Sequence, residues 1–304
     1  MSHANPPKLR IEPVGPNQEP EALALVFADL EPPQRARHVA QLRAQYANGP
    51  IEGLWAAYRG RRMVGAMRAA ALAGKTAVVT VPRVTSEEPP ETARELLAGA
   101  VETLPSQGVR LAQTLLMTDH GPDAGLLTAG GFSHVWDLLY LVSVPGAFPE
   151  SPPAEQLDFV PYSPPRHRQI AQLVERTYAG SLDCPAIDGV RHVDDVLAGY
   201  RAGCEFDPAL WLTVQSEGAD VGCLLISPEA GNAQWELTYM GVVPEARRRG
   251  FGLAMARHAQ WLARNSRCGR LVLAVDAANA PAKCLYAAAG FVTWDRRSVF
   301  LRVF

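Results

Sequence analysis

The spacing of apolar and polar positions divides the first half of the chain into short strands and helices. Two apolar runs at 54–59 and 63–67 flank a polar turn, which is the pattern of a β-hairpin. The remaining patterns predict strands over 9–16, 76–81, 109–117 and 132–144, and helices over 18–31, 34–48, from 89 onward and over 123–130. This order of elements is the template for comparison with the second half.

The second half repeats that order. A strand pattern at 157–162 and helical patterns at 166–179 and 191–201 precede a hairpin at 210–215 and 221–226. Four short matches join the halves at separations of 156–159 residues: Leu54-Trp55 with Leu210-Trp211, Val64-Gly65 with Val221-Gly222, 126–132 with 285–291, and Trp136-Asp137 with Trp294-Asp295. We interpret the chain as an internal duplication. Recurring residues such as Leu285, Gly290, Phe291 and Trp294 are expected to serve the fold.

A proline-rich segment separates the two halves. Residues 144–153 contain four prolines in ten positions, a composition typical of a linker. We place the boundary at 150–155, with one domain over 1–150 and a second over 156–304. Two domains also suit a chain of 304 residues.

Composition argues against several classes of protein. The net charge of -2 gives no general attraction to nucleic acid or an anionic membrane. No apolar run approaches the ~18 residues of a membrane span, and no basic and apolar leader opens the sequence. The five cysteines form neither a disulfide pattern nor zinc spacing. We expect a cytoplasmic protein without metal, with reduced cysteines packed as small apolar residues.

Candidate chemistry lies between 234 and 291. A strand pattern at 234–243 leads into Arg247-Arg-Arg-Gly-Phe-Gly252 and then a helix to about 264. Such a loop leaves the first helical N–H groups unpaired, and the glycines let an anion approach the main chain. The three arginines and the helix dipole add positive potential. The loop therefore suits a pyrophosphate, with a basic surface turn as the alternative.

A second strand pattern at 271–276 precedes a short helix. Asn279 is its predicted N-cap, Pro281 lies in its first turn, and Gly290 marks its end. Tyr286 on this helix carries a phenol that can donate a proton. Core packing is the alternative role for a single tyrosine on a short amphipathic helix.

Together these motifs resemble the GNAT superfamily of N-acetyltransferases. The matching positions are Arg247-x-x-Gly250-x-Gly252 after a strand, then Asn279, Ala282, Leu285-Tyr286 and Gly290-Phe291. The resemblance covers about 156–304. It implies an α+β fold of two tandem GNAT-like domains, each a mixed, mostly antiparallel central sheet flanked by helices. One intact and one eroded half are similar to tandem members of the superfamily such as mycothiol synthase.

The resemblance also implies a function, the transfer of an acetyl group from acetyl-CoA as co-substrate to a primary amine by direct attack in a ternary complex. Tyr286 would protonate the departing thiolate. Glu236, 14 residues before Gly250, lies where some members carry a catalytic glutamate, and burial between apolar neighbours would raise its pKa toward that of a useful base. A cross-strand ion pair is the alternative for Glu236. The assigned cofactor-binding residues are Met240, Gly241, Val242, Val243, Arg248, Arg249, Gly250, Phe251, Gly252, Leu253 and Asn279.

The first half keeps the scaffold without these groups. After its strand at 76–81 there is no Gly-x-Gly, and Glu87 and Glu88 would repel a pyrophosphate. Leu127 stands where the repeat places Tyr286. We expect this half to be a degenerate, non-catalytic domain. In the second half, His258 is expected to be a satisfied core histidine and Asp276 a structural residue.

Two other functions stay open: a non-catalytic sensor of CoA or acyl-CoA, and a structural protein with two vestigial domains. The presence of both Tyr286 and Glu236 favours the enzyme. The expected partner is a small-molecule or peptide amine, with no nucleic acid and no membrane, and the protein is expected to be a monomer or homodimer. Polar residues near the first helices of the second half are candidates for attracting a cationic amine, or form a solvated face: Tyr178, Asp183, Asp188, His192, Asp194 and Asp195.

Overall fold

The protein is described by a computed structural model covering residues 7–46, 49–118, 121–153, 157–203, 205–229 and 233–304. The chain forms two compact units. Unit 1 runs to His134 and also contains Val299–Phe304, and unit 2 spans Val135–Ser298. Among the helices of the described residues, none has the length and apolar composition that crossing a bilayer requires.

Unit 1 is a mixed sheet with helices. In chain order its elements are β1 Leu9–Pro13, α1 Glu19–Val26, α2 Pro32–Gln45, β2 Leu54–Arg59, β3 Arg62–Leu72, β4 Thr76–Val79, β5 Arg83–Val84, α3 Pro90–Val101, β6 Leu111–Met117 and α4 Gly121–Ala129. The strand order is β1-β2-β3-β4-β6, with β5 paired to β3. Paired strands are antiparallel except β4 and β6, which run parallel.

Unit 2 repeats this plan. Its elements are β7 Ser133–Ser143, β8 Asp158–Pro161, α5 His167–Tyr178, α6 Val193–Ala202, β9 Trp211–Ser216, β10 Ala219–Pro228, β11 Gln234–Val242, α7 Phe251–Asn265, β12 Arg270–Asp276, α8 Ala280–Ala288 and β13 Val292–Val303. The strand order is β13-β7-β12-β11-β10-β9-β8. Only β11 and β12 are parallel among the pairs with a described register. The expected α+β class and the mostly antiparallel sheets are confirmed.

The units divide the chain at a different place from the proline-rich segment. The cause is β7, whose residues 138–143 pair with residues 276–271 of β12. A strand from the first half of the sequence therefore completes the sheet of unit 2. The last residues of β13 belong to unit 1, where Phe304 donates its N–H to the carbonyl of Arg110. The non-catalytic and catalytic roles given to 1–150 and 156–304 stay predictions.

Two glycines show that α5 and α7 cover opposite faces of the unit 2 sheet. A Cβ built on Gly222 of β10 points toward Met255 of α7, and one on Gly241 of β11 lies 2.5 Å from Thr177 Oγ1 of α5. Gly222 pairs with Val242, the neighbour of Gly241, and adjacent strand residues face opposite sides. Each absent side chain makes room for a helix to approach the sheet closely.

Candidate functional site

The site begins where β11 and β12 part. Their parallel register ends at Glu236 opposite Val272, within a segment that is fully described. The other edge of β11 stays paired with β10 as far as Val242 opposite Gly222. A bulge in the β10–β11 register at Leu225 and Ile226 increases the local twist. The two strands therefore border a gap that widens from Glu236 toward their carboxyl ends.

The main chain of β11 faces this gap at alternate residues. Val243 donates its N–H to the carbonyl of Val221 on β10, so Val243 and Gly241 direct their polar groups at β10. Met240 and Val242 direct theirs at the gap. Of the predicted cofactor-binding residues Met240, Gly241, Val242 and Val243, only Met240 and Val242 are placed to pair with a ligand in the gap.

The N-terminus of α7 lies at the open end of the gap. Gly250 is the N-cap, with φ of 83° and no side-chain cap, a conformation that favours glycine. A Cβ there would meet nothing within 4 Å. The first intrahelical bond joins Ala254 N–H to the Gly250 carbonyl, so the N–H groups of 251–253 have no carbonyl in the preceding turn. An anion can reach them.

The three arginines of the loop differ in their contacts. Arg247 donates from Nε to the carbonyl of Val242, from Nη1 to that of Gly180 and from Nη2 to that of Thr177. Its charge is committed to holding the loop against α5, which corrects the expectation that all three arginines serve an anion. Arg248 and Arg249 are exposed, and the Arg249 guanidinium lies 4.7 Å from the Phe251 ring centroid.

The two helices that flank the gap pack closely at Gly252. A Cβ on Gly252 would lie 2.5 Å from Leu285 Cδ1 of α8, so this glycine serves helix packing as well as access to the main chain. Asn279 caps α8 by accepting the Ala282 N–H at 3.2 Å, as predicted. The Nδ2 group of Asn279 remains a possible donor to a ligand. Phe251 is buried and Leu253 is half-buried.

The side chain of Tyr286 on α8 is buried, with 6% of its surface exposed. Its ring packs edge-on against Phe291, with 5.5 Å between centroids. Burial raises the pKa of the Tyr286 phenol, and the nearby charge of Asp183 raises it further. The phenol therefore stays protonated at neutral pH, as a proton donor must.

Glu236 is the last residue of β11 that pairs with β12, at the closed end of the gap. The residue is exposed, yet the protein around the carboxyl raises its pKa by desolvation, and Glu229 raises it further. Burial raises the pKa of Tyr140, and the charge of Glu236 raises it further; Tyr140 pairs with Ala274 on β12. Tyr140 is a neighbour that sequence reasoning missed, because β7 had been assigned to the first domain.

Several predicted residues are structural. Asp276 is 3% exposed, and its carboxylate accepts the N–H groups of Ala278 and Cys184. His258 is buried against Phe159, with ring centroids 3.5 Å apart. Its Nδ1 has no hydrogen-bond partner among the described residues, so the histidine is in the core as expected but is not satisfied there.

Of the residues proposed to attract the amine, only Asp183 is bonded to the end of β12. It accepts the N–H of Asp276 at 3.1 Å. Tyr178 packs against Tyr239, Asp188 is exposed, and His192 caps α6 by accepting the N–H of Asp194. Asp194 also approaches His167 at 3.3 Å, and Asp195 lies in the first turn of α6.

The cysteines follow the expectation in part. Cys223 and Cys268 are free and buried, Cys184 is half-buried, and Cys284 is exposed rather than packed. Cys204 lies outside the described residues.

In unit 1, side-chain contacts link the elements that correspond to those around the gap. Arg83 of β5 makes a two-pronged ion pair with Asp123 of α4, at 2.8 and 3.0 Å. Before α3, Glu88 accepts from Arg59 Nε and from Thr92 Oγ1. A carboxylate thus stands near the helix N-terminus that corresponds to the start of α7. These contacts favour a unit that binds no pyrophosphate.

Comparison with known proteins identifies the segment that carries this site. Residues 178–291 match the family model of the acetyltransferase (GNAT) family. This segment is similar to the GNAT acetyltransferases. The match includes β11, α7, β12 and α8, so the gap, the loop and Tyr286 all lie within the matched segment.

Solved structures extend the likeness to both units. A GCN5-related N-acetyltransferase of Sphaerobacter thermophilus has a TM-score of 0.64 at 16% identity, covering 97% of this chain and 95% of its own. A tandem GNAT protein from the clavulanic acid biosynthesis pathway has a TM-score of 0.53 at 18% identity, covering 97% and 98%. At these identities the likeness concerns the fold, which is that of tandem GNAT proteins. A comparison with curated protein sequences finds no match.

Proposed function

We propose that unit 2 transfers an acetyl group from acetyl-CoA to a primary amine. The observation that supports this proposal is the gap between β11 and β12. The pairing of these two strands ends at Glu236 opposite Val272. The N-terminus of α7 lies at the open end of the gap. A pyrophosphate on the N–H groups of 251–253 would lie beside Arg248 and Arg249. The pantetheine arm would then enter the gap and pair with Met240 and Val242.

In the reaction, the amine nitrogen attacks the thioester carbonyl, a C–N bond forms, and the C–S bond breaks. Tyr286 gives its proton to the leaving thiolate, which is released as the CoA thiol. The amine must be neutral to attack, because an ammonium has no lone pair. Glu236, whose pKa is raised, takes the proton that the nitrogen loses, directly or through a water molecule. Return of that proton to the Tyr286 phenolate completes the cycle.

A calorimetric titration with acetyl-CoA tests donor binding. The Gly250→Glu variant places a carboxylate at the α7 N-terminus, where repulsion of a pyrophosphate should weaken binding at least about a hundredfold. Gly250→Gln is the matched control, since it has the same size and the same strain at a φ of 83°. It should bind at least about tenfold more tightly than Gly250→Glu.

The same titration gives the number of sites. We expect the wild-type chain to bind one acetyl-CoA, because in unit 1 the Arg83–Asp123 pair links the segment after β4 to α4 and Glu88 stands before α3. Equal affinities of the Gly250→Glu variant and the wild type would disprove the phosphate site. Two equivalents bound by the wild type would disprove the assignment of binding to unit 2 alone.

A further inference from the structure

The loop between α5 and α6, residues 179–192, crosses the open end of the gap. On the β11 side it is fastened by Arg247, which joins the carbonyls of Gly180 and Thr177 to that of Val242. The loop then passes to the end of β12. It therefore spans the two strands at the place where an acyl-CoA arm would have to enter.

On the β12 side the loop is fastened by two reciprocal hydrogen bonds. Asp183 Oδ1 accepts the N–H of Asp276 at 3.1 Å, and the N–H of Cys184 donates to Asp276 Oδ2 at 3.3 Å. Asp276 is buried and also accepts the N–H of Ala278, so its carboxylate is a fixed anchor. Asp183 is the loop's own side-chain contribution to this attachment.

The backbone of the loop is bent sharply next to that attachment. Cys184 has φ of 50°, in a region that side-chain-bearing residues rarely adopt because Cβ crowds the main chain. Gly180 and Gly189, with φ of 62° and 75°, sit on either side, where glycine permits large changes of direction. A strained residue held between two glycines indicates a segment that its contacts keep in place.

The same loop also shapes a neighbouring cleft. Pro185 and Ala186 form one wall of a pocket of about 470 Å³, opposite Asp137, Asp276 and Arg296. This volume lies in the range of small-molecule sites, about 300–1,000 Å³. Raising the loop would remove that wall. Asp183 is also close enough to Tyr286 for its charge to raise the phenol's pKa.

We propose that Asp183 is a positioning residue, whose hydrogen bond to Asp276 latches the α5–α6 loop across the donor gap. The loop lifts to admit the acyl-CoA arm and closes over it, which completes the wall of the adjacent cleft. This inference rests on the proposed function, since acetyl-CoA is the ligand that the loop encloses. In this proposal Asp183 holds the loop in place and takes no part in proton transfer.

Cys184 reports the position of the loop. Its half-buried thiol has a pKa raised by burial and, further, by the charges of Asp183 and Asp276, so a closed loop should react slowly with N-ethylmaleimide and an open one faster. Modification of the Cys184 peptide is followed by mass spectrometry with and without saturating acetyl-CoA, which has no free thiol. Calorimetry on the same samples reports acetyl-CoA binding independently.

We expect acetyl-CoA to slow the labelling of Cys184 about tenfold or more in the wild type. Asp183→Ala, which removes the acceptor, should raise labelling about tenfold in the free protein. Asp183→Asn loses the same charge but keeps an amide oxygen that accepts the Asp276 N–H, so it should label more slowly than Asp183→Ala. Asp188→Ala, an exposed change in the same loop, is the matched control and should label like the wild type.

These measurements test the latch and the proposed function separately. If acetyl-CoA binds by calorimetry but leaves Cys184 labelling unchanged, or if Asp183→Ala labels like the wild type, the latch is wrong. The latch is also wrong if Asp183→Asn labels as fast as Asp183→Ala. The loss of the charge, and not of the hydrogen bond, would then explain the faster labelling. If acetyl-CoA does not bind at all, the proposed function fails, and the Asp183→Ala comparison still judges the latch.

Discussion

At the scale of single residues, the environment of Glu236 makes its carboxyl group differ from that of an ordinary surface acid. The residue is exposed, which by itself would give a normal carboxyl group. Protein atoms around the carboxyl and the neighbouring Glu229 both disfavour the charged form and raise its pKa. A base with a raised pKa holds a transferred proton better than an ordinary carboxylate does.

This environment predicts the effect of removing Glu229. The pKa of Glu236 should lie above the ordinary value of 4.5, and Glu229→Gln should lower it, because one negative charge that opposes ionisation is gone. Glu175→Gln, an exposed change on α5, should leave it unchanged. A ¹³C NMR titration of the side-chain carboxyl groups measures all three proteins. A Glu236 pKa at or below 4.5, or one unaffected by Glu229→Gln, would contradict the account.

The sequence was informative about residue type and less so about orientation. The positive φ of Gly290 and the buried position of Phe291 agree with their recurrence in both halves, since Gly131 and Phe132 share these features. Trp294 recurs as well but is 59% exposed, so recurrence alone did not place it in the core. Three consecutive arginines look alike in sequence, and only the position of the α5 carbonyls shows that Arg247 is structural.

At the scale of elements, α7 shows how packing alters a titratable group. Its apolar face is buried at Phe251, Met255 and Ala259, and His258 stacks on Phe159 of β8 beside that face. Burial lowers the pKa of His258 to about 4 from 6.5. The folded protein therefore holds this histidine neutral where the unfolded chain would protonate it.

The sign of the resulting pH dependence follows from proton binding. Between pH 6.5 and about 4 the unfolded state binds more protons at His258, so stability falls as the pH falls through this window. His258→Phe keeps the stacked ring and removes the titration. We expect the free energy of unfolding of this variant, minus that of the wild type, to be about 2 kcal/mol larger at pH 5 than at pH 8.

Urea titrations at both pH values, followed by tryptophan fluorescence, measure this difference. His38→Phe, the same change at an exposed position of α2, is the control and should show no such dependence. A relative stability of His258→Phe that is the same at pH 5 and pH 8 would show that His258 protonates freely in the folded state.

At the scale of the whole molecule, the two halves of the sequence and the two compact units are not the same. The repeat can be predicted from the sequence because both halves carry the same order of hairpin, strand, helix, strand and helix. The place of β7 in unit 2 cannot be predicted, because alternating apolar residues at 132–144 indicate a strand but not the strand with which it pairs. Pairing of β7 with β12 is a long-range contact, fixed only when the sheet assembles. The proline-rich segment consequently follows a strand of unit 2 instead of separating two domains.

The two units also differ in their contacts at corresponding positions. In unit 2 the N-terminus of α7 is uncapped by side chains, and the gap beside it is open to a ligand. In unit 1 the corresponding positions hold Glu88 and the Arg83–Asp123 pair. We therefore propose that unit 2 alone binds acetyl-CoA and passes its acetyl group to an amine, with Tyr286 as the acid.

Release of the CoA thiol from acetyl-CoA, measured against a panel of small-molecule and peptide primary amines, tests that claim most directly. The account predicts amine-dependent release by the wild type. Tyr286→Phe should lower the rate about a hundredfold while acetyl-CoA affinity stays the same, because only the proton donor is removed. Tight binding of acetyl-CoA with no release above background for any amine, or full activity of Tyr286→Phe, would contradict it.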